Sequence, residues 1–181
     1  MSNYIDTESA MWFFMICTAV FGVQLYILEN RTSKRGFELL KSVLDKLELK
    51  YKEKGDNDVI FAINDNIFNL KTDTDGQFLF VQHIMWYEAP LDDIDNLSLL
   101  QRAVNRYNTS NTGKIVYTYD HEGNKVNLHT YADLLWVPEI PNIDNYLLVW
   151  LRNLVDSHDE FNYIMDEYRK EQHYSSNQIP N

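Results

Sequence analysis

The sequence is short of several things that chemistry commonly needs. It holds one cysteine, Cys17, in 181 residues. That excludes an intrachain disulfide and any cysteine-built zinc site. It holds six glycines, none clustered, so no glycine-rich phosphate loop can be drawn. Its four prolines leave long stretches free to form regular structure. Positive charge is also scarce: 16 Lys and Arg face 27 Asp and Glu, for a net charge of −11. A nucleic-acid partner needs clustered cations against its phosphates, so nucleic acid is set aside. No G-x-S-x-G occurs, and the five histidines show neither HxH nor HxxxH spacing. No cofactor, metal or catalytic residue is expected.

Apolar residues make up 45 % and aromatic residues 14 %, enough to build a core. The length suits one domain. Charge is unevenly placed. Residues 29–54 carry eight basic and five acidic residues, whereas residues 55–181 carry eight basic and twenty acidic. A basic collar therefore precedes a strongly acidic domain.

Residues 10–28 (AMWFFMICTAVFGVQLYIL) carry no charge. As a helix they would extend about 28 Å, close to the hydrocarbon thickness of a bilayer. The acidic flank and the missing A-x-A site argue against a cleaved signal peptide. Two readings stay open. One is an inner-membrane anchor, with Arg31, Lys34 and Arg35 at its cytoplasmic end and the domain in the cytoplasm. The other is a cytoplasmic protein whose helix packs on the domain or swaps between protomers. The expected organisation is a tail at 1–9, the apolar helix at 10–28, a linker at 29–36, one domain at 37–173 and a polar tail at 174–181.

Phe37, Leu40, Leu44, Leu47 and Tyr51 repeat at three and four, which predicts an amphipathic helix over 37–51. Strands are expected at 58–63, 67–71 and 77–88, joined by turns at Asn64-Asp65-Asn66 and Asp73-Thr74-Asp75-Gly76. Leu97, Leu100, Val104 and Tyr107 predict a second helix, with Asp92, Asp93 and Asp95 as candidate N-caps. A hairpin follows over 114–120 and 125–137, then a last helix from Asp144 to about Gln172. The expected class is α+β: a small antiparallel sheet flanked by helices, in the order α-β-β-β-α-β-β-α.

This order, carried by particular residues, resembles the YbjN-like family of bacterial proteins classed as sensory-transduction regulators. The carrying residues are Leu99-Leu100-Gln101-Arg102-Ala103-Val104-Asn105-Arg106-Tyr107-Asn108, the hairpin 114–120 with Gly123, and the strand ending Tyr131-Ala132-Asp133-Leu134-Leu135. A closing helix with Leu147, Leu151, Leu154, Val155 and Asp159-Glu160-Phe161 completes the match over about residues 37–170. The apolar N-terminal run and Pro138-Glu139-Ile140-Pro141 depart from the family pattern. The resemblance implies the fold of type III secretion chaperones, a homodimer, and a protein-binding role without catalytic residues.

Asp73, Asp75 and Gly76 look like the start of a calcium loop, but the last of twelve positions falls on Ile84 rather than a Glu. A hairpin turn is the better reading. His83 and His158 sit among apolar neighbours and read as structural, hydrogen-bonded histidines. Adjacent carboxylates such as Asp92-Asp93 and Asp166-Glu167 are expected in so acidic a chain. An enzyme with an unrecognised site is the third reading, after a tethered adaptor and a soluble dimeric regulator.

The strand at 77–88 is the informative one. Alternation puts Phe78, Phe80, Gln82, Ile84 and Trp86 on one side and Leu79, Val81, His83, Met85 and Tyr87 on the other. Both sides are largely apolar, yet a sheet covered by helices on one side needs only one. One face should therefore be buried by a second copy, by a client protein or by the N-terminal helix. Leu79, Val81, Met85 and Tyr87 are the expected protein-binding residues.

Overall fold

The computed structural model describes residues 35–176, together with Met15, Thr18 and Gly22. A helix covers 35–46 (α1). It is followed by β1 (Tyr51–Glu53), β2 (Asp58–Ile63), β3 (Asn66–Thr72), β4 (Phe78–Pro90), α2 (Ile94–Ser110), β5 (Lys114–Asp120), β6 (Lys125–Leu135) and α3 (Ile143–Ser176). The fold is α+β. The six strands form one antiparallel sheet in the order β1-β2-β3-β4-β6-β5.

The expected order needs one correction: β1 was not foreseen. Its source is the way α1 stops. Leu47 and Tyr51 continue the helical spacing in sequence, but the helix ends at 46 in a Schellman turn. Leu49 N–H donates to the Leu44 carbonyl and Glu48 N–H to that of Asp45, both at 3.0 Å. Glu48 takes the left-handed backbone this turn needs, with φ 57°. The chain is thereby freed to run as the edge strand Tyr51–Glu53 against β2.

Asp93 caps α2 by accepting from the Asn96 N–H at 3.1 Å. The turn before β4 is closed by Asp73, whose Oδ1 accepts from the backbone N–H groups of Gln77 and Phe78. Gly76 supplies the positive φ of 65° in that turn. The Asp73-Thr74-Asp75-Gly76 segment is thus a hairpin turn.

Helices α1, α2 and α3 pack on one face of the sheet. Phe37, Leu40 and Leu44 of α1 and Leu147, Leu151 and Leu154 of α3 meet Val59, Phe68, Leu70, Leu79, Val81 and Leu134. Leu100, Ala103, Val104 and Tyr107 of α2 and Phe161, Ile164 and Met165 of α3 meet Ala89, Ile115, Val126 and Leu128. Along the outer rim of α2 and α3, Arg106 pairs with Glu167 at 2.8 Å and Arg102 lies over the Tyr168 ring. Among the described residues no helix is long and apolar enough to cross a membrane. Apart from Met15, Thr18 and Gly22, the run at 10–28 lies outside the described residues, as does the tail at 177–181.

Candidate interaction surface

The face of the sheet turned away from the helices is the candidate surface. It carries Phe78 and Phe80 of β4 and Leu135 of β6, which are 46 %, 42 % and 49 % exposed. Phe78 sits opposite Leu135 in the ladder, and Phe80 lies two residues along the same face. Phe80 is flanked by Lys71 on β3 and Asp133 on β6. Ile67 of β3 and Met85 of β4 are also exposed. The result is a short apolar strip of Phe78, Phe80 and Leu135 at the start of the sheet's longest strand, edged by one cation and one anion and followed on the same face by Gln82 opposite Asn69.

The four residues expected to bind protein are divided by this geometry. Leu79 and Val81 are fully buried beneath the helices, so they belong to the intramolecular core. Tyr87 is half-buried on the helix side, edge-on to Phe161 of α3. Only Met85 is exposed. The correction has a simple cause: α1 and α3 bring their own apolar stripes to that side of β4. The apolar side left open is the one carrying Phe78 and Phe80.

Met85 is exposed because β4 is interrupted. His83 pairs with Thr130 and Tyr87 with Leu128, so three residues of β4 oppose His129 alone. Two residues are extra, which preserves the alternation on either side. Within the bulge Met85 takes φ 51° and turns outward, while Trp86 turns in against α3. The bulge is held by His129, whose Nδ1 accepts from the Met85 N–H at 3.2 Å. Its Nε2 therefore carries the proton and donates to the Thr118 hydroxyl at 2.9 Å. Burial lowers the pKa of His129, which favours this neutral form.

Beneath the sheet, Trp86 stacks on His158 at 4.1 Å, and His158 bonds His83 at 2.9 Å. Phe68 lies against the other side of His83 at 4.9 Å. Burial is the first cause that pushes both imidazoles down to about 4. The pair sits between α3 and the sheet, where His83 is sealed from solvent. This is a structural pair of the kind expected from its apolar neighbours.

One polar cleft of about 230 Å³ lies between the end of α2 and α3, lined by Tyr107, Asn111, Asn153, Ser157 and Glu160 among others. Ser157 is the natural nucleophile to examine there. Its hydroxyl donates to the Leu154 carbonyl at 2.6 Å and lies 3.1 Å from the Thr130 hydroxyl, with the Tyr107 side chain as a further partner. Its arrangement is that of a helix serine bonded to its own backbone. Among the described residues no group of three or more His, Cys, Asp or Glu is placed to hold a metal ion.

No protein-family model matches the chain, and no curated protein matches its sequence. Solved structures do. One similar chain is YbjN from E. coli, described as a candidate transcription regulator, at 15 % identity and a TM-score of 0.44, covering 75 % of this chain and 92 % of that one. Another belongs to the HopA1–SchA chaperone–effector complex, at 17 % identity and a TM-score of 0.36, covering 74 % and 91 %. Two of the solved structures to which this chain is similar are thus a YbjN protein and a chaperone–effector complex.

Proposed function

We propose that this chain is a non-catalytic protein-binding module of adaptor or chaperone-like type, and that it binds through the open face of its sheet. The observation that carries the reading is the exposed strip of Phe78, Phe80 and Leu135. Large apolar side chains gathered on one open face mark an interaction surface more often than a bare one. The histidine pair and Ser157, the groups best suited to chemistry, are instead occupied in structural bonds. A homodimer is one form this binding takes and a client protein the other.

The test uses the full chain. Phe80→Glu places a charge in the middle of the strip, while Asp95→Ala alters an exposed residue of α2. The unmodified chain and Asp95→Ala should self-associate or retain the same partner, and Phe80→Glu should lose it. Sedimentation velocity over a hundredfold concentration range reads the first. Quantitative affinity capture reads the second. A monomer at every concentration, with no partner lost by Phe80→Glu, would remove the reading.

A further inference from the structure

We infer that the cavity between α3 and the β2–β3 hairpin is a binding site for a small apolar α-amino acid, a zwitterion of the leucine or methionine kind. The side chain of the ligand fills the cavity, its carboxylate meets Arg152 and its ammonium group meets Asp156. The site lies on the helix side of the sheet, away from Phe78, Phe80 and Leu135, so it stands independently of the docking reading.

The first ground is the cavity itself. Its volume is about 300 Å³. That is the lower end of the roughly 300–1,000 Å³ usual for ligand sites, so its occupant is small. It is lined by Phe68 and Leu151, both buried in the core, and by the half-buried Ile63 and Val155. Four hydrocarbon side chains suit an apolar group. The rim on the hairpin side is a tight turn in which Asn64 and Asp65 hold φ 47° and 67°, and Asn66 Nδ2 donates to the Asn64 carbonyl at 3.1 Å. Such a turn fixes the rim, so the cavity is preformed.

The second ground is a pair of unused charges. Arg152 and Asp156 line the same cavity from α3, and both are exposed. Four residues apart, they are neighbours on the helix surface, with about 5–6 Å between their Cβ atoms. Among the described residues neither takes part in an ion pair, with the other or with a third group. The other arginines of α2 and α3, Arg102, Arg106 and Arg169, are each paired with a carboxylate. In a chain with 27 acidic residues, the one arginine of these helices left open is the one beside an apolar cavity.

The third ground is the match between these charges and one class of ligand. A plain fatty carboxylate would meet Arg152 but set its charge beside Asp156 as well. A plain amine would do the reverse. An α-amino acid carries both signs on one carbon, together with the side chain, and so satisfies both residues while its apolar part enters the cavity. Guanidinium takes a carboxylate through two parallel hydrogen bonds, and a carboxylate accepts readily from an ammonium group. Asp156 also borders the polar cleft at the end of α2 and is the residue that the two hollows share.

The test is isothermal titration calorimetry on the full chain with L-leucine, N-acetyl-leucine, leucine amide and octanoate. Acetylation removes the ammonium charge, the amide removes the carboxylate, and octanoate keeps only an apolar tail and an anion. Leucine should bind saturably with a dissociation constant below about 1 mM, within reach of so small a ligand. The other three compounds should bind at least about tenfold more weakly, and Arg152→Gln and Asp156→Asn should each weaken leucine by the same factor. Both residues are exposed and unpaired, so both variants should keep the fold, which circular dichroism checks. Arg169→Gln, the same change elsewhere on α3, is the control and should bind as the unmodified chain does. No saturable binding of leucine, isoleucine or methionine overturns the inference. So does leucine binding that either variant weakens less than about tenfold, because the ligand then sits elsewhere. Octanoate or N-acetyl-leucine bound as tightly as leucine overturns it in favour of a plain apolar anion, and leucine amide bound as tightly in favour of a plain amine. None of these results bears on the open face, which Phe80→Glu tests separately.

Discussion

His158 Nε2 and His83 Nδ1 lie 2.9 Å apart and share one hydrogen bond, beneath the sheet and against α3. The Leu154 backbone beside His83 acts against the effect of burial on that ring, and burial wins. The bond needs an unprotonated nitrogen on one of the two rings, so it is lost once both imidazoles are charged. The folded-state values near 4 lie below the ordinary histidine value of 6.5, with burial the leading cause at each ring. The unfolded chain therefore binds more protons between those limits. Stability is fully present above about pH 6.5 and is lost as the pH falls towards 4. For the buried His83 the loss is on the order of 3 kcal/mol. Urea melts at pH 7.5, 6.0 and 4.5 measure it. A double variant, His83→Phe with His158→Phe, should fold and show a shallower slope, since paired polar groups replaced together by apolar ones of similar shape cost little. An unchanged slope would mean that the acid sensitivity lies elsewhere.

Glu48 is an exposed residue held at φ 57° to close the Schellman turn of α1. A side chain in that conformation carries a penalty that glycine does not. Glu48→Gly is expected to stabilise the domain by about 0.5–1 kcal/mol, read as a higher denaturation midpoint. Destabilisation would show that the Glu48 side chain contributes something its exposed position does not reveal.

Gly36 behaves oppositely. A methyl group there meets the Gly76 carbonyl oxygen at 2.5 Å and the Gly76 Cα at 2.6 Å, both backbone atoms that cannot rotate aside. Gly36→Ala should cost roughly 1–3 kcal/mol through displacement of α1. It should also weaken the Trp136 bond to the Gly36 carbonyl, which shifts the fluorescence of a buried indole. A neutral result would show that α1 slides along the sheet without penalty.

Much of the fold was legible because it is local. The strands at 58–63 and 114–120 were bounded by their turn residues and fall where β2 and β5 lie. What escaped depends on backbone conformation that residue type does not announce. Glu48 ends α1 five residues before the periodicity of Leu44, Leu47 and Tyr51 would suggest, and the three-residue strand it releases is too polar to read as one. Met85 and Trp86 exchange sides because a non-glycine residue adopts positive φ, secured by His129 from a strand 44 residues later. The candidate surface was legible as a surplus of apolar residues on β4 but not as a choice of side. Which side stays open depends on where α1 and α3 lay their leucines, and that is a long-range fact.

Adjacent residues of β4 should then respond in opposite ways to the same substitution. Val81 is fully buried among Leu70, Leu134 and the helix leucines. A carboxylate there has no partner and loses its hydration, so Val81→Glu should cost more than about 4 kcal/mol and leave the chain unfolded or insoluble. Phe80, one residue earlier, points to the open face with Lys71 opposite it on β3. A glutamate there stays hydrated and gains a cross-strand cation, partly offset by Asp133 on the other flank. Phe80→Glu should change the domain's unfolding free energy by less than about 1 kcal/mol while disrupting whatever covers the strip. Circular dichroism melts of both variants decide the matter. If Phe80→Glu unfolds the domain as Val81→Glu does, Phe80 belongs to the core, and the open face loses its claim to be a binding surface.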